Sequence, residues 1–103
     1  MAHLHGRRDL HVEGELDCAT APRLELRLRA LAGLGHPVSL DLAEVTFMDS
    51  SGLRLLLDTH RQALREGREF EVRRPSPAVR RVIELARAAH LLGEERVLGE
   101  GRA

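Results

Sequence analysis

The apolar residues of this chain change their spacing several times, and that alternation limits the folds available to it. At residues 38–42 apolar and polar residues alternate, which is typical of a strand with one buried face. Leu24, Leu28 and Leu31 instead recur every three or four residues, as on one face of a helix. Strand patterns that alternate with helix patterns of this length predict an α/β fold, in which helices connect the strands of a parallel or mixed sheet.

The same patterns predict the order of the elements. Strands are expected at residues 2–5, 10–13, 38–42 and 68–73, with a short last strand at 96–98. We predict a first helix capped by Thr20 and a third capped by Ser76, because each residue stands just before a proline-containing first turn. The second helix is expected from about Gly52 to Gly67, and its apolar face is predicted to hold Leu53, Leu56, Leu57, His60 and Leu64.

Composition narrows the class of protein. A length of 103 residues predicts a single domain, 1–103, with frayed ends at about 1–2 and 99–103. Sixteen basic residues balance sixteen acidic ones, which argues against a general affinity for nucleic acid, and only two residues are aromatic, so bases have little to stack on. The single cysteine excludes an internal disulfide. Without a long apolar run, we expect neither a secretion signal nor a membrane span, and we predict a cytoplasmic protein.

The segment Asp49-Ser50-Ser51-Gly52 carries the most chemical information. It places one carboxylate and two hydroxyls at the predicted start of the second helix, where backbone N–H groups lack partners within the helix. In the simplest interpretation Ser50 or Ser51 caps the helix, because serine is a preferred capping residue. A functional interpretation stays open at this point.

That segment also resembles a family signature. Together with residues 40–42 and 45–48, it is similar to the signature of STAS domains, and specifically of the bacterial anti-sigma factor antagonists. Three further segments agree in order and spacing: Gly14-Glu15-Leu16-Asp17 with Thr20-Ala21, then Ser76-Pro77-Ala78-Val79-Arg80-Arg81, then Ala89-His90-Leu91-Leu92. The resemblance extends from about residue 13 to residue 92, which is most of the chain.

The resemblance implies a fold and a regulatory role. The expected fold is a small mixed sheet of four to five strands with three to four helices packed mainly on one side. In the family the second serine of the signature, Ser51 here, is phosphorylated by an anti-sigma factor that is also a serine kinase. The unphosphorylated antagonist binds this kinase and so releases a sigma factor, and a phosphatase restores the bound form. The resemblance implies no catalytic activity, no cofactor, and no direct binding to nucleic acid or membrane.

The resemblance also implies which residues contact the partner, namely Glu15, Asp17, Asp49, Ser50, Ser51 and Gly52. Each has a plainer explanation. Asp49 is also suited to the positive end of a helix dipole, and Gly52 to a tight turn between strand and helix. Glu15 and Asp17 are equally consistent with solvated turn residues.

Other functions remain as alternatives. The chain can be a constitutive STAS scaffold, or an accessory subunit of a stress-signalling or transport complex, without a phosphorylation switch. A hydrolase that uses Ser51 is disfavoured because no Gly-x-Ser-x-Gly motif occurs. His3 and His5 alternate on a predicted strand, but two ligands are too few for a metal, and we predict no metal site. The short N-terminal strand pair leaves a sheet edge that allows dimerisation.

Overall fold

Strands and helices alternate along the chain, as the spacing of its apolar residues predicts. The computed structural model describes residues 2–5 and 9–92. The strands are β1 (Ala2–His5), β2 (Asp9–Leu16), β3 (Val38–Met48) and β4 (Phe70–Arg73). The helices are α1 (Ala21–Gly33), α2 (Ser50–Arg65) and α3 (Pro77–Leu85), followed by a single 3-10 turn at Ala89–Leu91. None of these helices is long and apolar enough to cross a membrane.

The described strands form one mixed sheet in the order β1-β2-β3-β4. Strands β2, β3 and β4 are parallel, because α1 and α2 carry the chain back along the sheet, whereas β1 is antiparallel to β2. The parallel part therefore has three strands, and β1 adds an antiparallel edge, so the described sheet has four strands in all. The strand predicted at residues 96–98 lies outside the described residues.

Strands β2 and β3 are longer than the sequence predicts. The pairing of β2 with β3 shifts register between His11 and Glu13, and again between Gly14 and Glu15. These shifts break the strict alternation of buried residues, yet Val45 and Met48 remain buried. The interpretation of Glu15 as a turn residue is therefore wrong, since it lies within β2.

One hydrophobic cluster joins one face of the sheet to all three helices. Its fully buried side chains include Leu10, Leu40, Leu24, Leu56 and Ile83. Burial of each leucine or isoleucine side chain stabilises the folded state by about 1.5–3 kcal/mol. Between the buried strand residues stand His11, Asp41 and Glu71, whose polar side chains are half-buried on the opposite face. The helices thus pack mainly on one side of the sheet.

Helix α2 differs from its prediction in its start and in its buried face. It begins at Ser50, two residues before Gly52. Leu64, which was expected in the core, is 66% exposed, whereas Leu55 and Ala63 are buried. Leu55 follows Gly52 by three residues and Ala63 follows Leu55 by eight, so the three lie on one face of the helix, and the face that contains Leu64 is turned toward solvent.

Candidate partner-binding and phosphorylation site

The predicted site residues meet at the edge of the sheet that is formed by the carboxyl ends of its parallel strands, where the two central strands β2 and β3 end side by side. Leu16 pairs with Met48 in the register of these parallel strands, and the Asp49 N–H donates to the Leu16 carbonyl oxygen at 3.3 Å. The loop that starts at Asp17 therefore lies beside the start of α2.

Asp49 is the N-cap of α2. Its Oδ1 accepts hydrogen bonds from the Ser51 N–H at 2.9 Å and from the Gly52 N–H at 3.3 Å. A carboxylate satisfies unpaired N–H groups here and also interacts favourably with the positive end of the helix dipole. The expectation that Ser50 or Ser51 caps the helix is therefore wrong.

Because Asp49 serves as the cap, both serine hydroxyls are left without a partner among the described residues. Ser50 is exposed and Ser51 is half-buried, and neither hydroxyl forms a hydrogen bond to another described residue. Ser51 borders a cavity of about 310 Å³ between α1 and α2, and Ser50 borders a second one of about 460 Å³. The oxygen of Ser51 is therefore neither sealed in the core nor committed to the fold.

Gly52 has a structural role within the chain. It is buried, and a Cβ atom placed on it would lie 2.8 Å from the Leu16 carbonyl oxygen and 2.8 Å from Met48 Cγ. Only glycine lets the first turn of α2 approach the ends of β2 and β3 this closely. Contact between Gly52 and a partner stays a prediction.

The loop after β2 is held by its own side chains. Asp17 Oδ1 accepts from the N–H groups of Ala19 at 3.0 Å and Thr20 at 3.1 Å. The Thr20 hydroxyl accepts from the Asp17 N–H at 3.0 Å and donates to the Glu15 carbonyl oxygen at 2.8 Å. Thr20 occupies the predicted N-cap position of α1, but its hydroxyl makes no hydrogen bond to the first N–H groups of the helix. These bonds fix the loop, while the Glu15 side chain is exposed.

Sequence reasoning missed Phe47 and Arg54. Phe47 pairs with Glu15 across β2 and β3 and is 48% exposed, although it belongs to an otherwise apolar strand end. Its exposure follows from the register shift, which the sequence does not reveal. Arg54 is exposed and borders both cavities, and its position one turn after Ser51 was the signal that could have identified it.

The described residues give little support to a hydrolase. The cavity beside Ser51 is bordered by Cys18, by residues of both helices and by the sheet end, and none of its described lining residues is a histidine. Ser51 therefore has no imidazole to act as a general base within that cavity.

A cluster of titratable residues lies elsewhere, on the helix-free face of the sheet. His11 lies within β2, where its Nδ1 is 3.7 Å from Asp41 Oδ2 and its Nε2 is 3.6 Å from Glu44 Oε1. His11, Glu13 and Glu44 have potential ligand atoms within 4.8 Å of one another. With one imidazole and two exposed carboxylates, the geometry is that of an ion-pair cluster, and we assign no metal to it.

Known proteins share both the sequence pattern and the fold. An anti-sigma-B factor antagonist from Bacillus subtilis is 28% identical over 74% of this chain and 70% of its own length. One from Staphylococcus epidermidis is 44% identical over 50% of this chain. The matched segment covers about half (48%) of that protein.

Solved structures extend this similarity. An anti-sigma factor antagonist from Mycobacterium paratuberculosis is 30% identical with a TM-score of 0.72, over 89% of this chain and 80% of that one. The anti-sigma factor antagonist SpoIIAA in its unphosphorylated form shares the fold, with 23% identity and a TM-score of 0.65 over 82% of this chain and 80% of its own. A family model described as "Mlab, STAS domain" matches residues 3–93. The chain therefore belongs to the STAS domain family.

Proposed function

We propose that this protein is an anti-sigma factor antagonist controlled by phosphorylation of Ser51. In its unphosphorylated form it binds an anti-sigma factor that is also a serine kinase, and thereby releases a sigma factor. Phosphorylation of Ser51 ends the binding, and a phosphatase restores it. The protein acts in the cytoplasm by binding alone, without catalysis of its own. Its similarity to anti-sigma factor antagonists over most of its length supports this proposal.

One observation carries the proposal, namely that Asp49 caps α2 in place of a serine. The Ser51 hydroxyl makes no hydrogen bond within the described chain, so it is available to a visiting kinase. Phosphoryl transfer to a hydroxyl requires that its oxygen be accessible and free to lose a proton. Both requirements agree with a half-buried side chain that borders a cavity.

A phosphate at this position changes binding more than folding. It adds about −1.5 to −2 charge at neutral pH, two residues from the Asp49 carboxylate. Near a helix N-terminus the fold tolerates such a charge. Buried against a partner, an imperfectly paired dianion costs several kcal/mol, and about 3 kcal/mol already lowers affinity 100-fold.

The surroundings of Ser51 suit protein recognition. Phe47, a large aromatic side chain 48% exposed at the same edge, is the type of residue that anchors protein interfaces. We propose that Phe47 inserts into the partner and that the acidic side chains of Glu15, Asp17 and Asp49 surround it. Ser50, Ser51 and Gly52 complete the proposed contact surface.

The test uses the purified anti-sigma factor kinase of the same organism with ATP. We expect wild type and Ser50→Ala to become phosphorylated at residue 51, as mapped by mass spectrometry, and Ser51→Ala to stay unmodified. By calorimetry, Ser51→Ala should bind like wild type, and Ser51→Asp about 100-fold more weakly. Leu64→Asp is the matched control, because it adds the same charge to an exposed position at the far end of α2.

Two results would contradict the proposal. One is modification of Ser51→Ala at the wild-type rate, which would move the phosphorylated residue elsewhere. The other is equal binding of Ser51→Ala and Ser51→Asp, which would favour a constitutive scaffold or accessory subunit without a switch. Size-exclusion chromatography with light scattering of the same samples also tests whether the chain dimerises.

A further inference from the structure

Arg54 is the positively charged residue nearest to both serines along α2. It follows Ser51 by three residues and Ser50 by four, and residues at these spacings are neighbours on a helix surface. Arg54 borders the cavity of about 310 Å³ together with Ser51, and the cavity of about 460 Å³ together with Ser50. Its side chain therefore lies beside the place where a phosphate on Ser51 would stand.

The other arginines that border the Ser51 cavity are already engaged. Arg29 Nη2 lies 3.0 Å from Glu25 Oε2, and Arg68 Nη2 lies 2.6 Å from Glu66 Oε1. Within residues 9–92 no carboxylate forms an ion pair with Arg54. Arg54 thus has a charge that no described side chain neutralises.

The pairing of Arg68 also changes the acidity of its partner. Hydrogen bonds from Gln62 and then from Arg68 lower the pKa of Glu66 from its usual value. Arg68 also follows the far end of α2, about 20 Å along the helix from Ser51, so a phosphate on Ser51 would not reach it. Arg54 lies one turn after Ser51 and has no carboxylate partner among the described residues.

Asp58 is the acid closest to Arg54 along the helix, and it too is occupied. Its Oδ1 lies 2.9 Å from Arg61 Nη2. Arg54 precedes Asp58 by four residues, which is the less favourable order for an ion pair in a helix dipole. A phosphate on Ser51 would instead precede Arg54, which is the favourable order.

The start of α2 offers a phosphate few free N–H groups. Those of Ser51 and Gly52 already donate to Asp49, and that of Leu53 donates to the Asp49 carbonyl oxygen at 3.1 Å. A phosphate that took the first two would displace the cap and meet the like charge of the Asp49 carboxylate. A cationic side chain is therefore better placed to balance its charge than these N–H groups.

We propose that Arg54 is the counter-ion of phosphorylated Ser51, an inference that rests on the proposed phosphorylation of that residue. The planar guanidinium donates N–H groups to two phosphate oxygens, the geometry for which arginine is suited. The phosphate is thereby held against α2 and balanced within the released chain. Arg54 is neutralised in the same step, so it is no longer available to an acidic partner.

The test installs phosphoserine at position 51 during synthesis of the full chain, with Arg54 or with Arg54→Gln. Phosphorus NMR then follows the second ionisation of the phosphate. Because a neighbouring cation favours the dianion, we expect Arg54→Gln to raise the pKa of the phosphate by about 0.3–0.7. Arg54→Gln should also increase the unfolding equilibrium constant about 2- to 5-fold more in the phosphorylated chain than in the unphosphorylated one.

Arg65→Gln, at the far end of the same helix, is the control and should show neither effect. Equal pKa values with Arg54 and Gln at position 54, together with equal changes in unfolding, would overturn the pairing. Should the phosphorylated chain fail to fold, Ser51→Glu replaces phosphoserine in the unfolding comparison. If Arg54→Gln then changes the free energy of unfolding equally with Ser and with Glu at position 51, the result counts against the proposal. No kinase takes part in these measurements, so a kinase that ignores Ser51 would refute only the proposed function.

Discussion

Two helices of this protein have serine at their start but use it differently. At α3 the cap is Ser76, which is 5% exposed and accepts a hydrogen bond from the Val79 N–H at 3.2 Å. At α2 the cap is Asp49, and Ser50 and Ser51 follow it with hydroxyls that bond to no other residue in the described part of the chain. A serine that caps a helix is committed to the fold, whereas serines that follow an aspartate cap remain available for chemistry.

The third residue of each helix shows a second difference. In α3 it is Val79, a fully buried side chain that adds to the core. In α2 it is Gly52, whose missing side chain lets the helix lie against the Leu16 carbonyl oxygen. The start of α3 is stabilised by apolar burial, and the start of α2 by close backbone approach and a charged cap. The second arrangement keeps polar groups at the surface, as a site for a partner requires.

Gly52→Ala is the substitution that should damage this arrangement most. A new Cβ would lie 2.8 Å from a backbone oxygen of Leu16, which cannot move aside as a flexible side-chain end can. We expect a loss of about 1–3 kcal/mol in the free energy of unfolding, measured by urea denaturation. The displacement of α2 from β2 should also weaken binding of the anti-sigma factor.

Gly33→Ala is the matched control, because a Cβ at that position, the last residue of α1, meets nothing within 4 Å. It should leave stability unchanged or raise it by up to about 1 kcal/mol. Equal effects of the two substitutions would show that Gly52 is not required for close packing at the start of α2.

Removal of either cap should have the next largest effect. Asp49→Ala and Ser76→Ala each leave helix N–H groups without their side-chain acceptor, and each should cost about 1 kcal/mol in thermal or urea unfolding. Asp49→Asn retains an acceptor oxygen and should recover most of the loss at that position. The two caps are expected to differ in function, since only Asp49→Ala should also alter phosphorylation of Ser51. If Asp49→Ala is phosphorylated at the wild-type rate, the Asp49 cap has no role in the phosphorylation of Ser51.

The sequence predicted these two helix starts unequally well, for a physical reason. Proline is favoured at the first position of a helix, so Pro77 indicates Ser76 as the cap, and the structure confirms this prediction. Asp49, Ser50 and Ser51 are three adjacent residues with similar capping preference, so local propensity alone cannot choose among them. The choice is made by tertiary contacts, in which β3 continues to Met48 and Asp49 bonds to Leu16.

The exposed parts of the site were predicted less well than its position in the chain. The family signature located Ser51 and its neighbours, and the structure brings them to one sheet edge. The exposure of Phe47 and of Leu64 could not be predicted from the spacing of apolar residues along the sequence. The first lies beside a register shift between β2 and β3, and the second lies on the side of α2 that faces solvent. Both effects depend on how elements pack, not on the residues within one element.

Ser51→Ala should have the smallest effect on stability, and it tests the central distinction between the two helix starts. Its hydroxyl has no hydrogen bond within the described chain to lose, and alanine is a better helix former than serine. We expect the free energy of unfolding to stay within about 0.5 kcal/mol of wild type. A loss as large as that of Ser76→Ala would mean that Ser51 is itself a structural residue. In that case the availability of its hydroxyl, on which the proposed switch depends, would have to be abandoned.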